Sequence, residues 1–160
     1  MFLQIFPRVN RYIAVERGSV NQSFNYDQGQ AECVKIGTGL AIIRNQTDYN
    51  ALMSTINKSG ILLNRPSKTE NDLKIWVSGR KLSKLWTWYT GEVIPTPWFW
   101  NPEHPGTALY GCARLIAVTS PFGINDYACD HPGHYYYKLA CEWQLTWTNI
   151  SWCKVHVWRL

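Results

Sequence analysis

Trp76-Val77-Ser78-Gly79 and, with six residues between, Trp86-Thr87-Trp88-Tyr89-Thr90-Gly91 lie downstream of Cys33 and upstream of Cys112, Cys129 and Cys141-Glu142. This ordered series decides the fold, because it names the staples of the domain before any element is assigned. Residues 74–79 and 85–89 are short, aromatic and β-branched, and a basic turn separates them, which is the pattern of a hairpin. Trp76, Trp86 and Trp88 read as core.

Upstream, an extended opening around residues 11–15 precedes a stretch, 26–34, whose spacing places Tyr26, Gln30, Cys33 and Val34 on one helical face. Gly37 and Gly39 end that helix, and Leu40-Ala41-Ile42-Ile43 is an apolar run of the kind that fills a core. Residues 45–47 cap a second helix over 48–56, in which Tyr49, Leu52, Met53 and Ile56 form an amphipathic face. Residues 57–72 are polar, carry Gly60, Pro66 and Ser67, and read as a loop. Downstream, residues 90–106 contain Pro95, Pro97, Pro102 and Pro105 and cannot stay regular for long. They predict a long loop held by Trp98, Phe99 and Trp100, and loops of that length in compact domains are often functional. Strands are predicted over 111–118, 125–129 and 135–142.

At 160 residues the chain is about one domain, with an aromatic content of 14% against only 17% charged residues, the opposite of a disordered composition. No apolar run approaches the length needed to cross a bilayer. The opening MFLQIFPRVN is too short for a signal-peptide core, so a leader is expected outside this sequence or export by another route. Export is expected because several cysteines lie far apart, with no C-x-x-C pair. The sequons at Asn21, Asn45, Asn57 and Asn149 point the same way, since they accept glycan only in the secretory pathway. The net charge of +5 is modest and its lysines and arginines are scattered, which argues against nucleic acid as a partner.

Taken together the motifs resemble the C-type lectin-like domain. Ala31-x-Cys33 is similar to the family's A-x-x-C, and Leu40-Ala41-x-Ile43 to its L-x-x-I. Trp76-Val77-Ser78-Gly79 stands for W-I-G-L, and Trp86-Thr87-Trp88-x-x-Gly91 for W-x-W-x-x-G. Trp100-Asn101-Pro102 resembles the start of the long-loop motif, Asn125-Asp126 the end of W-N-D, and Cys141-Glu142 the terminal C-E. The resemblance implies an α+β fold of the short form with four framework cysteines: two helices, antiparallel β-sheets and a long loop. It implies a domain over residues 10–144, followed by a Trp-rich tail, 145–160, without an assigned role. Its disulfides carry over as Cys33 with Cys141 and Cys112 with Cys129. His131-Pro132-Gly133-His134 then reads as an inserted turn.

In sugar-binding members of that family a calcium ion in the long loop coordinates two sugar hydroxyls, and calcium requires six to eight hard oxygens. The alignment lays His104-Pro105-Gly106 over the family's ligand tripeptide, and a cis peptide bond before Pro105 is implied. The histidine is a poor calcium ligand, Gly106 offers no side chain, and Tyr110-Gly111 stand where an acid would precede Cys112. Glu103, Asn125 and Asp126 remain as weak calcium candidates. Arg80-Lys81-Leu82-Ser83-Lys84 sets cations where auxiliary sites need carboxylates. The other reading of Asn125-Asp126 is a turn before a strand, with Asp126 accepting backbone hydrogen bonds.

The candidate ligand-binding set is therefore Glu103, His104, Asn125, Asp126, Trp98 and Trp100, with Phe99 and Tyr110 beside them. The aromatics either stack on a ligand or pack the loop down. Cys129, His131 and His134 would make a zinc cluster only if Cys129 were not half of a disulfide. No paired-carboxylate or Ser-His-Asp pattern stands out, so binding without catalysis is expected. In the tail, Trp152, Lys154, His156 and Trp158 alternate with Cys153, Val155 and Val157 as an extra strand, and the odd Cys153 is a candidate for a disulfide-linked homodimer or marks a fragment. The function expected is that of a secreted protein, or the extracellular part of a membrane protein, that binds glycan through the long loop; the alternative is calcium-independent binding of an extracellular protein ligand.

Overall fold

The computed structural model of the chain describes residues 11–16, 24–59, 74–95, 98–106, 110–116, 123–130 and 138–143. The element order is β1 (Tyr12–Glu16), α1 (Tyr26–Lys35), β2 (Thr38–Leu40), α2 (Gln46–Lys58), β3 (Lys74–Leu82), β4 (Leu85–Thr87), β5 (Cys112–Ile116), β6 (Gly123–Tyr127) and β7 (Lys138–Trp143). The strands make one seven-stranded sheet in the order β1-β7-β3-β5-β6, with β2 on β7 and β4 on β3. The expected plural antiparallel sheets are thus one sheet, and its β3–β7 pairing, Trp76 opposite Leu139, is parallel.

Both helices are capped by an asparagine side chain, because the first turn's N–H groups have no partner within the helix. Asn25 Oδ1 accepts from Gln28 N while Gln28 Oε1 accepts from Asn25 N, a reciprocal box. Asn45 Oδ1 accepts from Asp48 N, so α2 begins two residues earlier than periodicity predicts. α2 buries Tyr49, Leu52, Met53 and Ile56, the predicted face. α1 differs from expectation: Tyr26, Gly29 and Cys33 are buried, and Val34 is 57% exposed. The reason is Gly29, where a Cβ would stand 2.8 Å from Leu139, so the helix turns its backbone rather than a side chain toward the sheet.

The basic segment predicted as a turn mostly extends β3, whose Arg80, Lys81 and Leu82 pair with Thr87, Trp86 and Leu85, leaving Ser83 and Lys84 as the turn. β6 starts two residues before the predicted strand, because Ile124 is buried opposite Leu115 and draws Gly123 into the ladder. Trp76, Trp86 and Trp88 are core, as are Leu40, Ala41, Ile42 and Ile43. Trp76 also donates its indole N–H to Phe24 O at 2.8 Å, which satisfies its one polar atom. Two disulfides have the implied pairing: Cys33–Cys141 ties α1 to β7, and Cys112–Cys129 joins the start of β5 to the segment that follows β6. The sequons Asn21 and Asn149, most of the loop predicted over 57–72, the turn at 131–134 and the tail with Cys153 lie outside the described residues. No helix among the described residues is long and apolar enough to cross a membrane.

Candidate functional site

The long loop leaves β4 through a short pairing of Val93 with Thr87, in which Ile94 N donates to Trp86 O at 2.8 Å. It then folds back across β6: Ile124 N donates to Phe99 O and Asn101 N to Ile124 O. The return needs a glycine at 123, since a Cβ there would overlap the Asn101 side chain. Aromatic rings anchor the crossing. Trp98 meets Trp88 edge-on at 4.8 Å, Trp100 meets Trp86 at 4.8 Å, and Phe99 stacks on Tyr49 at 4.7 Å. Trp98, Phe99 and Trp100 are half-buried and pack against the main core. The indole N–H groups of Trp98 and Trp100 are buried without a partner among the described residues.

From Asn101 the chain turns tightly, His104 N donating to Asn101 O at 3.0 Å, and the His104-Pro105 peptide bond is cis as implied. Glu103 stands at the head of this turn with φ +70, a backbone conformation rare for a residue with a side chain, and it is exposed. Asn125 and Asp126 lie within β6 rather than in a turn before a strand, and project into the back of the loop. His104 Nδ1–H donates to Asp126 Oδ1 at 2.5 Å, and Gly106 N donates to Asp126 Oδ2 at 3.0 Å. An ionised carboxylate accepts only, which assigns the proton shared by the pair to Nδ1. The Asp126 side chain is wholly buried and that of His104 is 28% exposed. Alongside, Asn101 Nδ2 donates to Asn125 Oδ1 at 2.6 Å.

His104, Asn125 and Asp126 are therefore brought together, joined by Asn101 and the Gly106 backbone, to which sequence reasoning assigned no role. Glu103 is adjacent but reaches none of their side chains through a hydrogen bond among the described residues. Among the described residues no group of three or more His, Cys, Asp or Glu is gathered as a metal cluster.

Comparison with known proteins agrees with this architecture. The model of the Lectin C-type domain matches residues 22–142. No curated protein sequence matches the chain. Among solved structures, human lithostathine is similar at 17% identity and TM-score 0.62, over 83% of this chain and 82% of that one. TC14, a C-type lectin from the tunicate Polyandrocarpa misakiensis, is similar at 18% identity and TM-score 0.59, over 84% and 99%. The C-type lectin domain of murine dendritic cell inhibitory receptor 2, solved with an N-glycan, is similar at 15% identity and TM-score 0.58, over 88% and 97%. At these identities the likeness is one of fold, whereas the family model spans most of the sequence, and the chain belongs to the C-type lectin domain family.

Proposed function

We propose that this domain is an extracellular recognition module that binds carbohydrate at its long-loop surface without a calcium ion. The observation that carries the reading is the closed contact of Asp126 with His104 and Gly106. Calcium needs six to eight oxygens, several of them charged. Here the buried carboxylate spends one oxygen on each of two loop donors, the Asn125 oxygen accepts from Asn101, and the remaining side chain at the position of an acid is an imidazole. This donor set does not fit the ion; it holds the loop by hydrogen bonds where an ion would otherwise do so.

Ligand contact then falls to Glu103, whose exposed carboxylate accepts sugar hydroxyls, and to the second ring nitrogen of His104. Trp98 and Trp100 serve by keeping the surface in shape. Carbohydrate is favoured because dendritic cell inhibitory receptor 2, similar in fold, was solved with an N-glycan. The second reading, a protein ligand, is favoured by Val93, within the loop, and Tyr110, a few residues beyond it, both exposed apolar side chains. An extracellular setting is supported by the two disulfides and by Asn45 and Asn57, sequon asparagines on the exposed surface of α2 and its cap. The Asn45 cap uses Oδ1, which leaves Nδ2 available for a glycan.

A glycan screen run in calcium and again in chelator is the test. Binding is expected to be equal in both, and Glu103→Gln is expected to weaken it about fivefold without moving the unfolding midpoint. Binding lost in chelator, or no glycan bound while an extracellular protein partner is, contradicts the carbohydrate reading.

A further inference from the structure

An open cleft of about 500 Å³ is lined by Lys81, Ser83, Lys84, Gly111, Ala128, Cys129 and Asp130. That volume is within the usual range for small-ligand sites. It forms where the β3–β4 turn meets the Cys112–Cys129 disulfide, and Lys81 N donates to Gly111 O at 2.8 Å to fix the two walls together. The geometry points to a second binding site, for a sulfated saccharide, and this goes beyond the long-loop reading because the two surfaces share no residue.

Charge is the first argument. Among the described residues no ion pair engages Lys81, Lys84 or Asp130, whereas neighbouring Arg80 pairs with Asp27 at 3.1 Å. Two unpaired ammonium groups in one small cleft attract an anion, and their rotatable donors suit sulfate oxygens. Asp130 narrows the class. A carboxylate in the lining repels a bare anion but accepts from hydroxyls, so the ligand must carry both anionic groups and hydroxyl donors. A sulfated sugar does.

Backbone strain adds a second argument. Ser83 has φ +58 in a two-residue turn, where glycine or asparagine is the usual choice. Holding a side chain there is costly, and Ser83 is among the residues that line the cleft. Strand alternation supplies the third. Leu82 and Leu85, both exposed, pair with each other and lie on the face of the hairpin opposite to Lys81, so the cationic lining is separate from the apolar tip.

The test is titration of the full, disulfide-bonded chain with a heparin octasaccharide, followed by fluorescence anisotropy at low and high salt. Binding is expected at low salt and weakened at high salt. Lys81→Ala with Lys84→Ala should reduce affinity about tenfold, the combined effect of two exposed charge contacts. Lys35→Ala with Lys58→Ala, which removes the same charge from the helices, should leave affinity nearly unchanged, as should Glu103→Gln, and retention in Glu103→Gln separates this site from the long loop. A hyaluronan oligosaccharide, carrying carboxylates without sulfates, should bind more weakly. No heparin binding, equal losses in the two double variants, tighter binding of hyaluronan, or lysine-dependent binding of phosphatidylserine vesicles without saccharide binding overturns the proposal.

Discussion

Glu142→Ala is expected to destabilise the domain by about 3 kcal/mol, read as a lowered urea midpoint with both disulfides intact. This glutamate is buried on β7, which is flanked there by β1 at Tyr12 and by β2 at Gly39. Oε2 accepts from the Ile42 backbone N–H at 2.9 Å, and Oε1 receives Arg11 at 2.5 Å and Arg44 at 3.4 Å. Alanine would leave the Ile42 N–H without an acceptor in the core, which accounts for most of the loss. The two arginines are more than a third exposed and recover solvent, so their share is smaller. Arg11 also retains Asp48 at 2.7 Å. Tyr12 marks the dryness of the place: it donates to Ile42 O at 2.7 Å, and burial, with the Glu142 charge beside it, pushes its hydroxyl well above the ordinary tyrosine range. Glu142→Gln keeps an acceptor for Ile42 and should cost roughly half as much. Equal midpoints for wild type and Glu142→Ala would refute this account of the glutamate after Cys141.

Removal of Cys33–Cys141 is the other large effect. The bridge closes a sequence separation of 108 residues between two buried cysteines, against 17 for Cys112–Cys129. A cross-link restricts the unfolded chain more when it closes a longer loop, by about 5 kcal/mol for the first and about 3 for the second in the chain-entropy account. Domains of this size hold only about 5–15 kcal/mol in total, so Cys33→Ala with Cys141→Ala should bring the chain close to unfolding at about 37 °C. Cys112→Ala with Cys129→Ala should lower the urea midpoint less. The reverse order would contradict the entropic account.

What was legible in the sequence was local or carried by the motif series. The face of α2 was readable because Tyr49, Leu52, Met53 and Ile56 repeat at helical spacing within one element. The cysteine pairing and the cis bond at His104-Pro105 followed from the family resemblance and are present. The face of α1 was misread at Val34, because the close approach at Gly29 depends on Leu139, a residue far along the chain. β6 was set two residues too late because Ile124 enters the ladder through its burial opposite Leu115, a tertiary fact, and Asn125 and Asp126 were open to a second reading as a turn. They stay in the strand since Asn101, His104 and Gly106, some twenty positions earlier, satisfy their polar atoms. The site residues could be named one by one, whereas which oxygen meets which donor is a tertiary fact. Similarly, the basic run at 80–84 was visible as a hairpin turn and as a lack of carboxylates, and the meeting of Lys81 and Lys84 with Asp130 in one cleft was not.

Calorimetric titration of calcium into the chelator-stripped, disulfide-bonded domain tests the metal-free loop most directly. No saturable heat is expected up to millimolar calcium, because the Asp126 and Asn125 oxygens already accept from His104, Gly106 and Asn101. Saturable binding of one ion, abolished by Asp126→Asn, would contradict the account.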